Sequence, residues 1–409
     1  MPTTRKLSPI ASPEASPDRG GWVAIPAATE KQVRVGFDSI DERRRVLDWL
    51  NTGLREGRPG RLASEYPLLF ERNASAVHFT LWERDAPAAF CTLWAVTFRV
   101  GVHRLRTGMI SLVYTDPDAR GRGLARRVVQ AAIDHATGLE LGLILLWSEL
   151  DRLYRPLGFD RAGRESLLVL DPAIVEQATS SERPAPSLAV EVATPSDWPE
   201  IERMRGYRTC QLELDAGELG LARAIPDLEV RVARDAFGVQ GFAMRGRGDD
   251  LAEVVHEWGG DPGAALLCCE ALLSSCEPWN ELFLMTPPSQ DALSWALRQA
   301  GAHRVHQPLA WMRIASPTAF ARDLAAMLPD AAGLSIEIEA ESNDAPRRVR
   351  LRSATGETTL EQAQLFDALF GAAGANDPAA LSRSLLPVLG TSGVAPLPIP
   401  LFVWGLESI

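Results

Sequence analysis

Two hydrophobic rhythms take turns along the chain. Apolar residues fall near helical spacing in IDERRRVLDWLNTGL (40–54), and HFTLWERDAPAAFCTLWAVTFRV (78–100) predicts two strands joined by a polar turn. MISLVYT (109–115) is a β-rich run. LARRVVQAAIDHA (124–136) predicts a helix with Leu124, Val128 and Ala131 on one face, and LGLILLWSE (141–149) predicts a buried strand. After EQATSSERPAPS (176–187), which has the composition of a linker, the same order returns more faintly. TPSDWPEIERMRGY is a helix entry, LEVRVAR, GFAMRGR and LAEVVHEW are strands, and ALLCCEALL, ELFLMT and DALSWALRQAG follow as helix, strand and helix. The repetition predicts a duplicated α/β (α+β) unit. Beyond Pro317 come a helix, the strands LSIEIEAE and RRVRLRS, two short helices and an apolar, proline-rich end, PLPIPLFVWGLESI. The expected organisation is a solvated tail over 1–30, a first unit over 31–175, a linker over 176–187, a second unit over 188–316 and a small α+β domain over 317–409.

Composition narrows the class. A length of 409 residues calls for two or three domains, and 46% hydrophobic with 23% charged residues is ordinary globular composition. No run of 18 apolar residues predicts a membrane span, and the N-terminal MPTTRKLSPIASPEASPDRGG lacks a secretory apolar stretch, so a cytoplasmic location is expected. The net charge of -11 disfavours nucleic acid and modestly favours a cationic partner. Cys91, Cys210, Cys268, Cys269 and Cys276 lack CxxC spacing and sit in apolar patterns, which points to buried free thiols. The six histidines form no ligand cluster, so no metal is expected. Assembly into a homo-oligomer is left open.

The chemistry concentrates between Ile110 and Phe159. A strand runs through Arg120, Gly121, Arg122, Gly123, Leu124 and Ala125 straight into a helix. A diphosphate needs several backbone N–H groups aimed at one place, and a helix N-terminus supplies them with the positive end of its dipole. The two glycines permit close backbone approach, Ala125 keeps the first turn open, and Arg120, Arg122, Arg126 and Arg127 attract phosphate. A further apolar strand and then Tyr154-Arg155-Pro156-Leu157-Gly158-Phe159 complete the ordered set. Tyr154 is the candidate general acid, since a phenol donates without being lost at neutral pH. Glu149, past the strand end, and Glu65, in the segment expected over the acceptor cleft, are candidate bases. His78 lies within a strand and reads as structural. The second unit keeps neither device: Gly259-Gly260-Asp261-Pro262-Gly263 replaces the loop, Leu297 stands four residues before Gly301, and Gly301-Ala302 replaces Gly-Phe. His256-Glu257-Trp258 is either packed core or cleft wall.

These motifs resemble the GNAT superfamily of N-acetyltransferases. Arg120, Gly123 and Ala125 match its Arg/Gln-x-x-Gly-x-Gly/Ala pattern, and Tyr154, Gly158 and Phe159 match its tyrosine before Gly-Phe. The resemblance implies acetyl-CoA lying between strands 110–115 and 143–147, with its pyrophosphate on residues 121–126 and its thioester carbonyl on amides near Val113, Tyr114 and Thr115. The order of an active GNAT domain, a degenerate one and a short tail is similar to the enhanced intracellular survival family, whose last domain is sterol-carrier-protein-like. That family acetylates amines of aminoglycosides and lysines, so a small-molecule or lysine-type amine acceptor is implied. It also implies that the chain end folds back to the acceptor side, with the terminal carboxylate of Ile409 as base. A strand completing the third domain's own sheet is the alternative for that segment. A mycothiol-synthase-like transferase and a non-catalytic acyl-CoA sensor are the rival functions.

Overall fold

The computed structural model describes residues 32–408 apart from 59, 72–74, 182–187, 277–280, 289–290, 330, 340–345 and 373–380. The first half carries strands β1 (Val33–Val35), β2 (Ala76–Glu83), β3 (Ala86–Val100), β4 (His103–Thr115), β5 (Leu143–Leu146), β6 (Asp160–Ala162) and β7 (Glu165–Leu170). The second carries β8 (Ala189–Val192), β9 (Cys210–Leu212), β10 (Glu229–Asp235), β11 (Gly238–Arg245), β12 (Val254–Gly260), β13 (Leu282–Thr286), β14 (Arg304–Gln307) and β15 (Ala310–Ile314). Strict alternation drives the sheets. Along β3, Phe90 and Trp94 face one apolar cluster while Cys91 and Leu93 face another, so both sides of this strand are buried. Helix α1 (Ile40–Leu54) starts on the Ser39 side chain, which accepts from the Glu42 amide. Its Gly53 passes so close to Tyr114 that a Cβ there would lie 2.1 Å from the ring.

The first sheet runs β1-β2-β3-β4-β5-β15-β6, with β9 beside β3, and the second runs β14-β7-β13-β12-β11-β10-β8. The two orders correspond strand for strand from β2 and β10 onward, and each contains one parallel pair, β4/β5 and β12/β13. The next-to-last strand of each is exchanged. β7 leaves the first unit to pair with β13 and β14, while β15 returns to lie between β5 and β6. The linker at 176–187 therefore does not separate the hydrogen-bonded sheets, and AWMRI (310–314) belongs to the first sheet although its neighbours in sequence belong to the second.

Beyond β15, helix α2 (Arg61–Glu65) and helix α3 (Pro67–Phe70) being part of the first unit, the third region adds β16 (Ser335–Ile338), β17 (Arg348–Arg352) and β18 (Glu357–Glu361) as an antiparallel sheet. The apolar end does not join it. Residues Leu401 to Leu406 are buried against the second unit, where the Trp404 indole donates to the Cys210 carbonyl (3.0 Å). A Cβ at Gly405 would meet His256 Nδ1 at 2.1 Å, so glycine is required for that approach. The seat is ionic as well as apolar. Buried Glu257 accepts from Arg205 (3.1 Å) and the Leu406 amide (3.1 Å) and is ion-paired with Arg208 (2.6 Å), while Glu407 accepts from Arg205 (3.1 Å) and the Leu212 amide (3.0 Å). His256-Glu257-Trp258 is thus packed core beneath the chain end. The Ser408 carbonyl then accepts from Arg247 (2.6 Å), whose guanidinium lies over the Tyr66 ring of the first unit. Ile409 itself lies outside the described residues. All five cysteines are buried and unpaired. Among the described residues no helix is long and apolar enough to cross a membrane.

Candidate active site

The parallel pair β4/β5 is hydrogen-bonded only over Thr107–Met109 and Leu143–Leu145, although β4 continues to Thr115. Past that point the strands part, leaving the β4 edge from Ile110 to Thr115 without a strand partner on the β5 side. Within it Leu112 has a φ of +52°, and the register with β3 slips between Phe90 and Thr92, so two residues of β4 oppose Cys91. Such a bulge turns backbone groups out of the ladder. It lies beside Val113, Tyr114 and Thr115. The slip itself left no mark in the sequence, because a leucine with positive φ looks like any other strand leucine.

At the end of β4 a short turn leads to helix α4 (Leu124–Gly138), which buries Leu124, Val128, Val129, Ala132, Ile133 and Ala136. Ala131, expected on the face of Leu124 and Val128, is partly buried against the same cluster. Gly121 and Gly123 both have φ +73° with nothing within 4 Å of an added Cβ, and Gly123 caps the helix without any side-chain hydrogen bond. The first turn thus keeps its N–H groups unclaimed by a capping side chain, which suits a diphosphate. Arg120 donates to the Thr115 carbonyl (3.3 Å), Arg122 pairs with Glu83, and Arg126 is exposed. The second unit closes the equivalent place: the Asp261 side chain caps helix α9 (Pro262–Ser274) by accepting from the Ala264 amide (3.0 Å). Helices α5 (Asp151–Tyr154), α6 (Pro172–Ser181), α7 (Trp198–Arg205) and α8 (Ala216–Arg223) lie between these two in the chain.

Tyr154 ends α5, eight residues past β5, at the open end of the parting strands. It is buried, with its ring 6.0 Å from Phe159 and 6.2 Å from Trp311 of the exchanged strand. The Trp311 indole donates to the Ser148 carbonyl (2.8 Å), and Arg155 and Arg161 flank its ring. The corner after Tyr154 is braced by both later regions. Arg313 donates to the Leu157 carbonyl, and Gln362 donates to the Gly158 carbonyl (2.9 Å) and to Asp160 (2.8 Å). Burial pushes the phenol up to about 12, against a smaller opposing pull from the Ser148 side chain. It therefore stays protonated over the physiological range.

The two candidate glutamates fare differently from expectation. Glu65 is fully buried; its two carboxylate oxygens take Arg55 and Arg61, with the Asp249 amide of the second unit at 3.1 Å. Its place is a structural joint between units, because the arginines and the amide use the lone pairs a base would need. Glu149 has a side chain 93% exposed and pairs with Arg161 (3.1 Å), which also holds Asp151 (2.8 Å). His78 is packed among Phe37, Phe70 and Phe90, and burial lowers it to about 4. The second unit repeats the Tyr154 corner without its phenol. Ala302 N to Leu297 O (3.0 Å) and Gly301 N to Arg298 O (3.1 Å) reproduce Phe159 N to Tyr154 O (3.2 Å) and Gly158 N to Arg155 O (2.9 Å).

An open parallel pair, an uncapped glycine-led helix start and a buried phenol define the class of acyl-CoA-dependent N-acetyltransferases. Residues 43–159 match the Acetyltransferase (GNAT) family. No curated protein matches the chain. Among solved structures, a GCN5-related N-acetyltransferase from Kribbella flavida is 15% identical with a TM-score of 0.58, covering 92% of this chain and 100% of that one. One from Anabaena variabilis is 13% identical with the same coverage and TM-score. Eis1 from Mycobacterium abscessus is 14% identical with a TM-score of 0.53, covering 88% and 98%. At these identities the likeness is one of fold, and it extends over nearly the whole chain.

Proposed function

We propose that the first unit acetylates a primary amine, of a small molecule or a lysine side chain, by direct attack on acetyl-CoA. The observation that carries this reading is the contrast between the two units: the first has an uncapped helix start and Tyr154, and the second has Asp261 across the helix start and Leu297. In this reading Gly121 to Arg126 hold the pyrophosphate, and the bulged edge near Val113 to Thr115 receives the thioester carbonyl. The amine nitrogen bonds to the acetyl carbon, the carbon–sulfur bond breaks, and the amine proton passes to a base. The terminal carboxylate of Ile409 is the proposed base, supported by the burial of the preceding residues at the seam between units and by the resemblance to the enhanced intracellular survival family. Glu149 acting through water is the second candidate.

The height of the Tyr154 pKa refines its role. A thiol titrates near ~8.5, so complete transfer of a proton from a phenol at about 12 to a finished thiolate is uphill. The phenol instead donates a hydrogen bond to charge developing on sulfur, which is transition-state stabilisation rather than proton storage. Incubating the full chain with acetyl-CoA and a panel of amines tests the function. Release of free thiol that depends on the amine, with the acetyl group recovered on nitrogen, is expected. Tight acetyl-CoA binding with no turnover on any amine would mark an acyl-CoA sensor instead.

A further inference from the structure

The second unit has lost the acetyl-transfer devices, yet a group of cations stands in their place. By register, Ser166 pairs with Thr286 and His306 as Trp311 pairs with Leu146 and Arg161, so Ser166 and His306 occupy the positions of Trp311 and Arg161. Alternation puts Arg164, Ser166, Arg304 and His306 on one face of β7 and β14, the face that carries Leu168 and Leu170 into the helical core. Helix α10 (Ala292–Gln299) brings Arg298 close enough for its charge to act on both Arg304 and His306. All four basic side chains are half-buried.

Their hydrogen bonds leave positive charge over. Arg164 contacts His306 Nε2 at 2.9 Å, and Ser166 Oγ contacts Nδ1 at 2.8 Å. A guanidinium only donates, so the ring accepts from Arg164 at Nε2, and Arg164 Nε also reaches Nδ1 at 3.4 Å. Arg298 donates Nε to the Ser294 carbonyl (3.3 Å), and Arg304 Nε is buried with no hydrogen-bond partner. Among the described residues no carboxylate pairs with Arg164, Arg298 or Arg304, in a chain of net charge -11 whose arginines elsewhere are widely ion-paired. The neighbouring Glu165 points to the other face by alternation and binds Gln307. Burial lowers His306, and Arg164, Arg304 and Arg298 lower it further, in that order. Asp291 lends Arg304 a partial counter-charge without pairing with it, Arg164 and Arg298 oppose that charge, and the planar forks of the three guanidiniums match the oxygens of a phosphoryl group.

We infer that Arg164, Arg298, Arg304 and His306 form a phosphoryl-anion site in the second unit, distinct from the acetyl-CoA loop of the first. Its ligand is inorganic phosphate or the phosphate monoester of a small metabolite. The inference does not depend on acetyl transfer. It is tested on the full chain saturated with acetyl-CoA, so that the first unit's loop is filled. Inorganic phosphate is titrated by calorimetry at ionic strength held constant with chloride, and a sugar phosphate is titrated in a parallel arm. Saturable binding of phosphate is expected, with the sugar phosphate tighter if a monoester is the ligand and weaker if phosphate alone is. Arg298→Met and Arg304→Met are each expected to weaken binding by about tenfold or more, the loss of one charge-assisted contact. In phosphate-free chloride the same variants should melt no lower than wild type, because each relieves repulsion. Binding unchanged in both variants, or no saturable phosphate or monoester binding to the wild type, overturns the inference. Failure of acetyl-CoA to bind would count against the proposed function and leave this site's phosphate titration readable on its own.

Discussion

Tyr154→Phe is expected to lower turnover by about 10²- to 10³-fold while acetyl-CoA affinity changes little. The ring would still pack on Phe159 and Trp311, so only the donor to sulfur is removed. Because burial holds the phenol near 12, the wild-type rate should show no alkaline loss attributable to Tyr154 below about pH 10, well under that value. Steady-state kinetics across pH, with acetyl-CoA binding measured separately, check both points. A variant that turns over at the wild-type rate would make Tyr154 a packing residue.

The second large effect concerns the seat of the chain end. Glu257→Gln should destabilise the protein by about 3–5 kcal/mol, the range for removing one partner of a buried ion pair. It would leave Arg205 and Arg208 buried with only Glu407 as counter-charge. Desolvation disfavours the Glu257 anion, but Arg208 and Arg205 together hold its carboxyl well below the ordinary 4.5. The sign follows directly. A depressed folded value contributes stability above the ordinary one and loses it as pH falls, so the wild-type advantage over the variant should shrink below about pH 4.5. Burial, helped by Glu257, raises Glu407 and works in the opposite sense, favouring the protonated form in the fold. Denaturant titrations of both proteins at neutral and acid pH measure the difference, and equal stability at neutral pH would refute this role. Deleting 404–409 removes Glu407 and the Leu406 amide from the same network, so loss of fold would mask any loss of chemistry. Removing Ile409 alone leaves that network in place and shifts the chain-end carboxylate back to Ser408, so it tests the position of the carboxylate.

Much of this was legible in the chain because it depends on local pattern. Helix α4 follows from apolar spacing and the glycine turn before it, and the difference between the two units shows in Leu297 and Asp261. What escaped is nonlocal. AWMRI announces a strand, but nothing in five residues says which of two similar sheets it joins, and the exchange of β15 for β7 is decided by pairing across the whole chain. Glu65 illustrates the same limit: it reads as a candidate base, and Arg61, Arg55 and the Asp249 amide reach it only in the folded seam. The cation group joins Arg164 to Arg298 and Arg304, more than a hundred residues further along the chain, and has no motif.

Calorimetric titration with acetyl-CoA tests the central claim, that one unit works and the other has been converted. The open helix start at Gly123 and the Asp261-capped start in the second unit predict one site per chain. Gly123→Val should abolish that site, since a β-branched residue at φ +73° is strained and would distort the turn that aims the N–H groups. Two equivalent sites per chain, or unchanged affinity in the variant, would contradict the account.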